Sequence, residues 1–282
     1  MQTYVTATDN YKVNDDKTDD DLTIWPDVLR RFVPIGLAQM EDVALLHRID
    51  TKYVMSEAQL YQALNHLTAA YRVLEVEGQR LQRYETLYFD TPDFTLYHQH
   101  HNGRPNRYKV RSRVYVESET AFLEVKHKTN KNITIKHRVR TPEMVAEIDD
   151  WAEDFLYTCL PFPSTGLTPK LYNTFRRITL VSTSGIERVT IDLGLRFAVD
   201  GAHLPLPGIA IAEVKQAAFS LRSEFVRQMR ALGMRPMSFS KYCIGVSQLY
   251  DRIKANRFKP QQRYISNLAK VAQQTAPKPL QG

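Results

Sequence analysis

The 282-residue sequence holds only two cysteines, Cys159 and Cys243, which excludes a disulfide scaffold and a cysteine-rich zinc site. It has no uninterrupted apolar run near the ~18 residues of a membrane span, so it is not read as crossing a bilayer. The opening stretch MQTYVTATDN lacks a basic flank before an apolar core, so no secretory signal is read there. A reducing, cytoplasmic setting is therefore expected, with any attachment to the inner face of a membrane made through a separate partner. Several phosphate and hydrolase devices are also missing. There is no GxxxxGK[ST] loop, no GxGxxG, no HExxH and no GxSxG elbow, which sets aside P-loop, dinucleotide-binding, zincin and α/β-hydrolase chemistry.

What is present is positive charge, unevenly placed. The chain carries a formal net charge of +7. Residues 104–140 alone hold eleven Lys/Arg against three acids, a net +8 that exceeds the total for the whole chain. Such a concentration points to an anionic partner. By contrast, residues 1–25 contain the acidic run Asp15, Asp16, Asp19, Asp20 and Asp21 with few apolar side chains, and read as disordered. Residues 256–282, rich in Gln, Lys and Pro, read as a second, basic disordered tail. One domain is expected over 26–255, with no internal repeat or linker inside it.

That body reads mainly as strands. Segments 48–55, 71–76, 83–90, 106–116, 120–128, 133–140, 171–182, 187–193 and 209–215 are β-branched or aromatic with period-two polarity, and their short connections suggest antiparallel hairpins. Helices are fewer. Ser56 with Gln59 forms a capping-box pattern, Thr141-Pro142 opens EMVAEIDDWAEDFL, and Ser220 opens a helix that stops at Gly233. His98, His100 and His101 follow a Thr-Pro turn and read as a surface loop rather than a metal site.

The alternation carries the chemistry. Arg107, Lys109, Arg111 and Arg113 share one parity, with Tyr108, Val110 and Val114 on the other. The next strand puts Glu124, Lys126 and Lys128 together, and the next Lys136, Arg138 and Arg140. A solvated sheet face would normally mix signs, because like charges facing each other across strands repel. These faces are nearly of one sign, so a polyanion is expected against them. Few aromatics lie among the cations to stack bases, and no helix-turn-helix or zinc finger is seen, so nucleic acid fits less well than a short dense oligophosphate. Three carboxylates sit among the cations: Asp50 beside Arg48 and Lys52, Glu124 beside Lys126, and Glu213 beside Lys215. Each reads either as an ion-pair partner or as a ligand for Mg²⁺ or Mn²⁺, whose remaining oxygens come from phosphate and water.

The ordered motifs RIDTKY, YFDT, KVRSRVY, LEVKHK, IKHRV, FRR, ERVTID, AEVK and SFSKY, spread over residues 29–250, resemble the VTC domain of polyphosphate polymerases in its bacterial form, part of the CYTH-like triphosphate tunnel metalloenzymes. The resemblance implies an α+β, mainly antiparallel protein built on an eight-stranded barrel whose lumen binds triphosphate. It assigns catalytic phosphate contacts to Lys52, Arg111, Arg113, Lys126, Lys136, Arg177 and Lys241. Further substrate contacts are expected from Arg48, Arg107, Lys109, Lys128, Arg138, Lys215 and Ser240, and metal contacts from Glu213, Asp50 and Glu124. Phe175 stands where the family pattern has Tyr, and Asp50 where many members have Glu. The implied activity is transfer of the γ-phosphate of ATP to polyphosphate with Mn²⁺ or Mg²⁺. A tunnel triphosphatase and a non-catalytic polyphosphate-binding module are the alternatives.

A cation-lined lumen should be stabilised by its ligand. Triphosphate at ~100 times its Kd is expected to add about 2.7 kcal/mol to the folding free energy. Thermal melting with and without millimolar triphosphate checks this, and an unchanged Tm would count against the lumen.

Overall fold

Period-two alternation makes one sheet the framework of this chain, and the lengths of the strands decide how the sheet extends. The structure, a computed structural model, describes residues 22–41, 49–131, 133–184 and 187–275. In chain order the elements begin with α1 (Trp25–Arg30), β1 (Val33–Ile35), α2 (Leu37–Glu41), β2 (Ile49–Ser56), α3 (Glu57–Leu64), β3 (Tyr71–Leu74) and β4 (Gln82–Asp90). They continue with α4 (Thr95–His101), β5 (Arg107–Tyr115), β6 (Thr120–Lys128), β7 (Thr134–Thr141), α5 (Asp150–Cys159), β8 (Thr168–Ser182), β9 (Glu187–Val199) and β10 (Ala202–Leu206). The last are β11 (Ile209–Gln216), α6 (Glu224–Ala231), α7 (Lys241–Leu249), a 3₁₀ turn Asn256–Phe258, and α8 (Lys259–Thr275).

All nine expected strands form, in one mainly antiparallel sheet with the main order β2-β11-β9-β8-β4-β5-β6-β7. The closed eight-stranded barrel is corrected in two respects. The sheet has eleven strands, and its terminal strands β2 and β7 are not hydrogen-bonded to each other among the described residues. The extra strands follow from length. β8 outruns β4, and β3 pairs with its overhang at 180–182; β9 outruns β11, and β10 pairs with its overhang at 195–199. Unpaired backbone there would otherwise lose hydrogen bonds. β7 ends the path as a largely exposed strand carrying Lys136, Arg138 and Arg140, a charged edge that discourages further pairing. Although β2 and β5–β7 lie at opposite ends of the path, residues from all of them line one cavity, so the sheet curls over on itself.

Helices cover the convex face. α1, α3 and α6 bury Trp25, Leu60 and Phe225 against Tyr53, Ile178, Ile191 and Ala212. α5 buries Ala152 and Leu156 against Val110, Leu123 and Val125. The concave face holds the charges and α7, whose Tyr242, Ile244 and Val246 pack with Val54, Leu171, Phe175 and Phe197.

Local signals were partly misplaced. The Ser56–Gln59 capping box forms as read. The helix after Thr141-Pro142 starts instead at Asp150, because the Asp149 carboxylate caps it by accepting from Ala152 N at 2.9 Å. Residues before it are irregular, with Val145 N donating to Ser112 Oγ at 2.9 Å. Ser223, not Ser220, caps α6, accepting from Val226 N at 3.1 Å. The histidines lie on α4 rather than in a loop. Buried Asp90 accepts from Leu96 N and Tyr97 N, both at 2.8 Å, and so fixes that helix's first turn. The expected basic tail is helical over Lys259–Thr275, anchored by buried Phe258 and Ile265. Of the expected N-terminal tail, residues 1–21 lie outside the described residues, while Leu22 and Trp25 are in the core.

α7 approaches β8 and β9 so closely that a side chain at 245 would force its neighbours to shift. A Cβ there would lie 2.6 Å from Leu171 Cδ2 and 2.8 Å from Phe197 Cδ1. Gly→Ala in an exposed helix gains about 1 kcal/mol. Gly245→Ala is expected instead to lose about 1–3 kcal/mol by overpacking, measured as a lower denaturation midpoint; a gain would mean α7 is looser than this contact requires.

Candidate functional site

Three carboxylates organise the concave face, and each is shared by two cations. Glu124, fully buried on β6, meets Arg111 of β5, whose Nε donates to it at 2.7 Å, and Lys136 of β7. Asp192 of β9 takes a bidentate pair from Arg177 of β8, at 2.6 and 2.9 Å, together with Lys241 of α7. Glu213 of β11 meets Lys52 of β2, its register partner, and Lys215 at 2.8 Å. Lys215 also donates to Thr190 Oγ1 at 2.8 Å. The antiparallel register makes these triads: Arg111 faces Glu124, and Arg177 faces Asp192.

Burial alone would raise each of these carboxyls. The adjoining cations more than offset it and hold Glu124, Asp192 and Glu213 below the usual carboxylate range. All three are therefore ionised at neutral pH. For Lys136, Lys215 and Lys241 burial dominates the other way and lowers the ammonium pKa, against the pull of the paired acids.

Beside the triads opens a cavity of about 520 Å³, lined by Lys52, Arg107, Lys109, Lys126 and Lys128, with Asp50 at its edge. Lys126 and Lys128 have no hydrogen-bond or ion-pair partner among the described residues. Lys109 donates to Ser240 Oγ at 2.9 Å, and Ser240 also caps α7 through Cys243 N. Burial, aided by the neighbouring cations, pulls Lys109 down to about 8 and Lys126 down to about 7. His100 of α4 lines the same cavity; burial and then the cations around it push its pKa far down, so it stays neutral.

The expected residues distribute as follows. Arg48 lies outside the described residues. Lys52, Arg111, Lys136, Arg177, Lys215 and Lys241 are bound to carboxylates; Arg107, Lys109, Lys126, Lys128 and Ser240 line the cavity. Arg113 is buried and donates to Thr86 Oγ1 at 3.2 Å. Arg138 lies 4.7 Å over the Phe122 ring. Asp192 was missed by the sequence reading. Its signal was available: within ERVTID, Thr190 and Asp192 share the parity opposite Val189, Ile191 and Leu193.

No group of three or more His, Cys, Asp or Glu among the described residues is placed to hold a metal ion by itself. Glu213 and Asp50 do lie on one face of the β2/β11 pair, two register positions apart, since Glu213 faces Lys52 and Lys215 faces Asp50. Two hard oxygen donors beside a cationic cavity suit a divalent ion completed by phosphate oxygens. Glu124 has its carboxylate enclosed between Arg111 and Lys136.

The family model for the VTC domain matches residues 47–250. A search of curated proteins returned no match. Solved structures with similar backbones include the PH1819 protein from Pyrococcus horikoshii OT3, 13% identical, TM-score 0.42, covering 71% of this chain and 96% of that one. HpAC1 from Hippeastrum, described as having a dominant triphosphatase activity, is 13% identical at TM-score 0.42, covering 73% and 98%. The Pct1 RNA triphosphatase of S. pombe is 11% identical at TM-score 0.25, covering 91% and 89%.

The two depressed lysines have a thermodynamic consequence. An unfolded lysine keeps its proton to about pH 10.4, whereas folded Lys126 releases it near 7 and Lys109 near 8. Between these limits the unfolded chain binds more protons, so stability rises with pH. Ligand-free protein is expected to gain stability from about pH 7 to about pH 8.5, and Lys126→Met to lose part of that slope. Urea denaturation across this range measures it; an identical slope in the variant would contradict the depressed Lys126.

Proposed function

The chain belongs to the VTC domain family, and from that premise we propose that it is a polyphosphate polymerase, transferring the γ-phosphate of ATP to the end of a polyphosphate chain. The observation that carries this reading is the single cavity into which opposite ends of the sheet deliver Lys52, Arg107, Lys109, Lys126 and Lys128. Cations on five separate backbone positions can surround the oxygens of successive phosphates, which one phosphate or one carboxylate would not fill.

Phosphoryl transfer asks little covalent work of the protein; it requires alignment and charge neutralisation. Lys109, Lys126 and Lys128 receive the entering phosphates, and phosphate binding restores the protons that Lys109 and Lys126 hold weakly. Arg111, Arg113, Lys136, Arg177 and Lys241 lie beyond, most already oriented by Glu124 and Asp192. Those carboxylates hold the donors in place before ligand arrives, so little reorganisation is left for the reaction. A polyphosphate end is already anionic and needs no general base. Mn²⁺ or Mg²⁺, when bound, supplies neutralisation of the transferring phosphate, and Glu213 with Asp50 are the side chains that would hold it. Glu213 would then exchange its lysine contacts for the ion, leaving Lys52 and Lys215 to phosphate.

No helix of the described residues is long and apolar enough to cross a membrane. ATP and polyphosphate are the partners we propose, and no nucleic acid is expected; the cytoplasmic setting rests on the sequence reading alone.

Incubating the protein with ATP and Mn²⁺ and resolving the products tests the reading. Polymer with ADP is expected. Orthophosphate without polymer would replace it with a triphosphatase, and tight polyphosphate binding without turnover with a binding module. Glu213→Gln keeps size and hydrogen bonding but removes the charge a hard cation needs. It is expected to bind triphosphate without metal at least as tightly as wild type, while turnover falls sharply and needs more Mn²⁺. A wild-type rate at the wild-type Mn²⁺ requirement would remove Glu213 as a ligand.

A further inference from the structure

Arg113 stands apart from its neighbours. Arg111 and Arg177 are held in salt bridges by carboxylates, but Arg113, equally interior, makes none among the described residues and meets Glu124 only through longer-range charge attraction. Its one hydrogen bond, from Nε to Thr86 Oγ1, leaves the outer guanidinium nitrogens uncommitted. A buried cation with no direct salt bridge normally finds a further form of stabilisation. Here it is aromatic. Tyr84 of β4 and Phe175 of β8 face each other in register and stack with ring centroids 5.1 Å apart and planes 21° from parallel. The Arg113 guanidinium lies 5.7 Å from the Tyr84 centroid and 5.9 Å from that of Phe175.

The same two rings serve two more cations. Arg177 lies 4.7 Å from the Tyr84 centroid and 5.2 Å from that of Phe175, and the Lys241 ammonium lies 4.2 Å from Phe175. All these distances fall within the ≈ 6 Å over which a ring quadrupole attracts a cation. Three cations from β5, β8 and α7 thus converge on one aromatic pair that no charge pattern marks. A carboxylate fixes a cation but cancels its charge, whereas a ring face fixes it and leaves the charge whole. Edge-on contact with Tyr115, at 4.8 Å and 63°, braces the Tyr84 ring in turn.

We propose that Tyr84 and Phe175 are positioning residues that hold Arg113, Arg177 and Lys241 in the geometry that grips phosphate. The ring face, not a hydroxyl, does this at 175, so Phe175 in place of the family's tyrosine keeps the function. The proposal rests on the phosphate-binding reading of the concave face but not on polymerase activity.

The test is metal-free triphosphate binding by titration calorimetry. Phe175→Leu removes the ring with a similar volume and is expected to raise Kd about tenfold or more, as loss of desolvated cation–ring contacts implies. Phe175→Tyr is expected to stay within about twofold of wild type, because the ring face is restored. Tyr84→Leu should weaken binding in parallel, and stands in if Phe175→Leu does not fold. Phe225→Leu supplies the structural control: it truncates a fully buried ring packed near Tyr53 on the convex face, away from these cations. It should lower Tm and leave Kd unchanged. Wild-type Kd in a folded Phe175→Leu, or equal weakening by Phe225→Leu, would overturn the proposal. If wild-type protein itself fails to bind triphosphate, the phosphate reading falls first, and with it this one.

Discussion

Bringing many cations onto one side of a curled sheet demands compensation, and three interior carboxylates, two of them buried and Glu213 partly exposed, supply it. Glu124, Asp192 and Glu213 each sit between two basic side chains from different elements. Removing one would leave two cations facing each other in a poorly hydrated interior, where unpaired charge costs several kcal/mol. The triads also act as clasps between elements. Glu124 ties β5 to β7 across β6, Asp192 ties α7 to β8 and β9, and Glu213 ties β2 to β11. Curvature, helix placement and donor orientation therefore share one set of interactions.

The compensation is incomplete, and its uneven placement gives the face its chemistry. Triads and aromatic contacts lie at the interior, while Lys109, Lys126 and Lys128 at the cavity have no carboxylate among the described residues. Desolvation, and after it repulsion from neighbouring cations, leaves Lys109 and Lys126 holding their protons weakly. In the proposed reading, an arriving polyanion would offset both penalties together. Affinity and stability of the ligand-free protein are thus opposed at the cavity, while the triads keep the rest of the face in register.

α7 links these parts. Its N-cap Ser240 accepts from Lys109, its first residue Lys241 reaches Asp192 and lies over Phe175, and Tyr242 donates to the buried Asp90 at 2.5 Å. Gly245 lets the helix descend onto Leu171 and Phe197, which brings all three contacts within reach.

Alternation alone placed nine strands and put Arg111, Glu124, Lys126 and Lys136 on shared faces, because a two-residue period is a property of the chain and survives any packing. The Ser56 capping box was legible for the same reason, its two bonds closing within four residues. Helix starts at Asp150 and Glu224 were not, since the Asp149 and Ser223 caps competed with equally good local signals and tertiary contacts chose between them. The α4 helix depends on Asp90 from the preceding strand, and α8 on burial of Phe258 and Ile265. Sequence also determined the excess of positive charge and the identity of the residues that meet phosphate in the proposed reading. Only the tertiary structure decided which carboxylate neutralises which cation, that Asp192 is one of them, that Tyr84 and Phe175 stand beneath Arg113, and that the sheet stays open between β2 and β7. Those outcomes depend on register, curl and close approach between residues far apart in the chain, which no local period encodes.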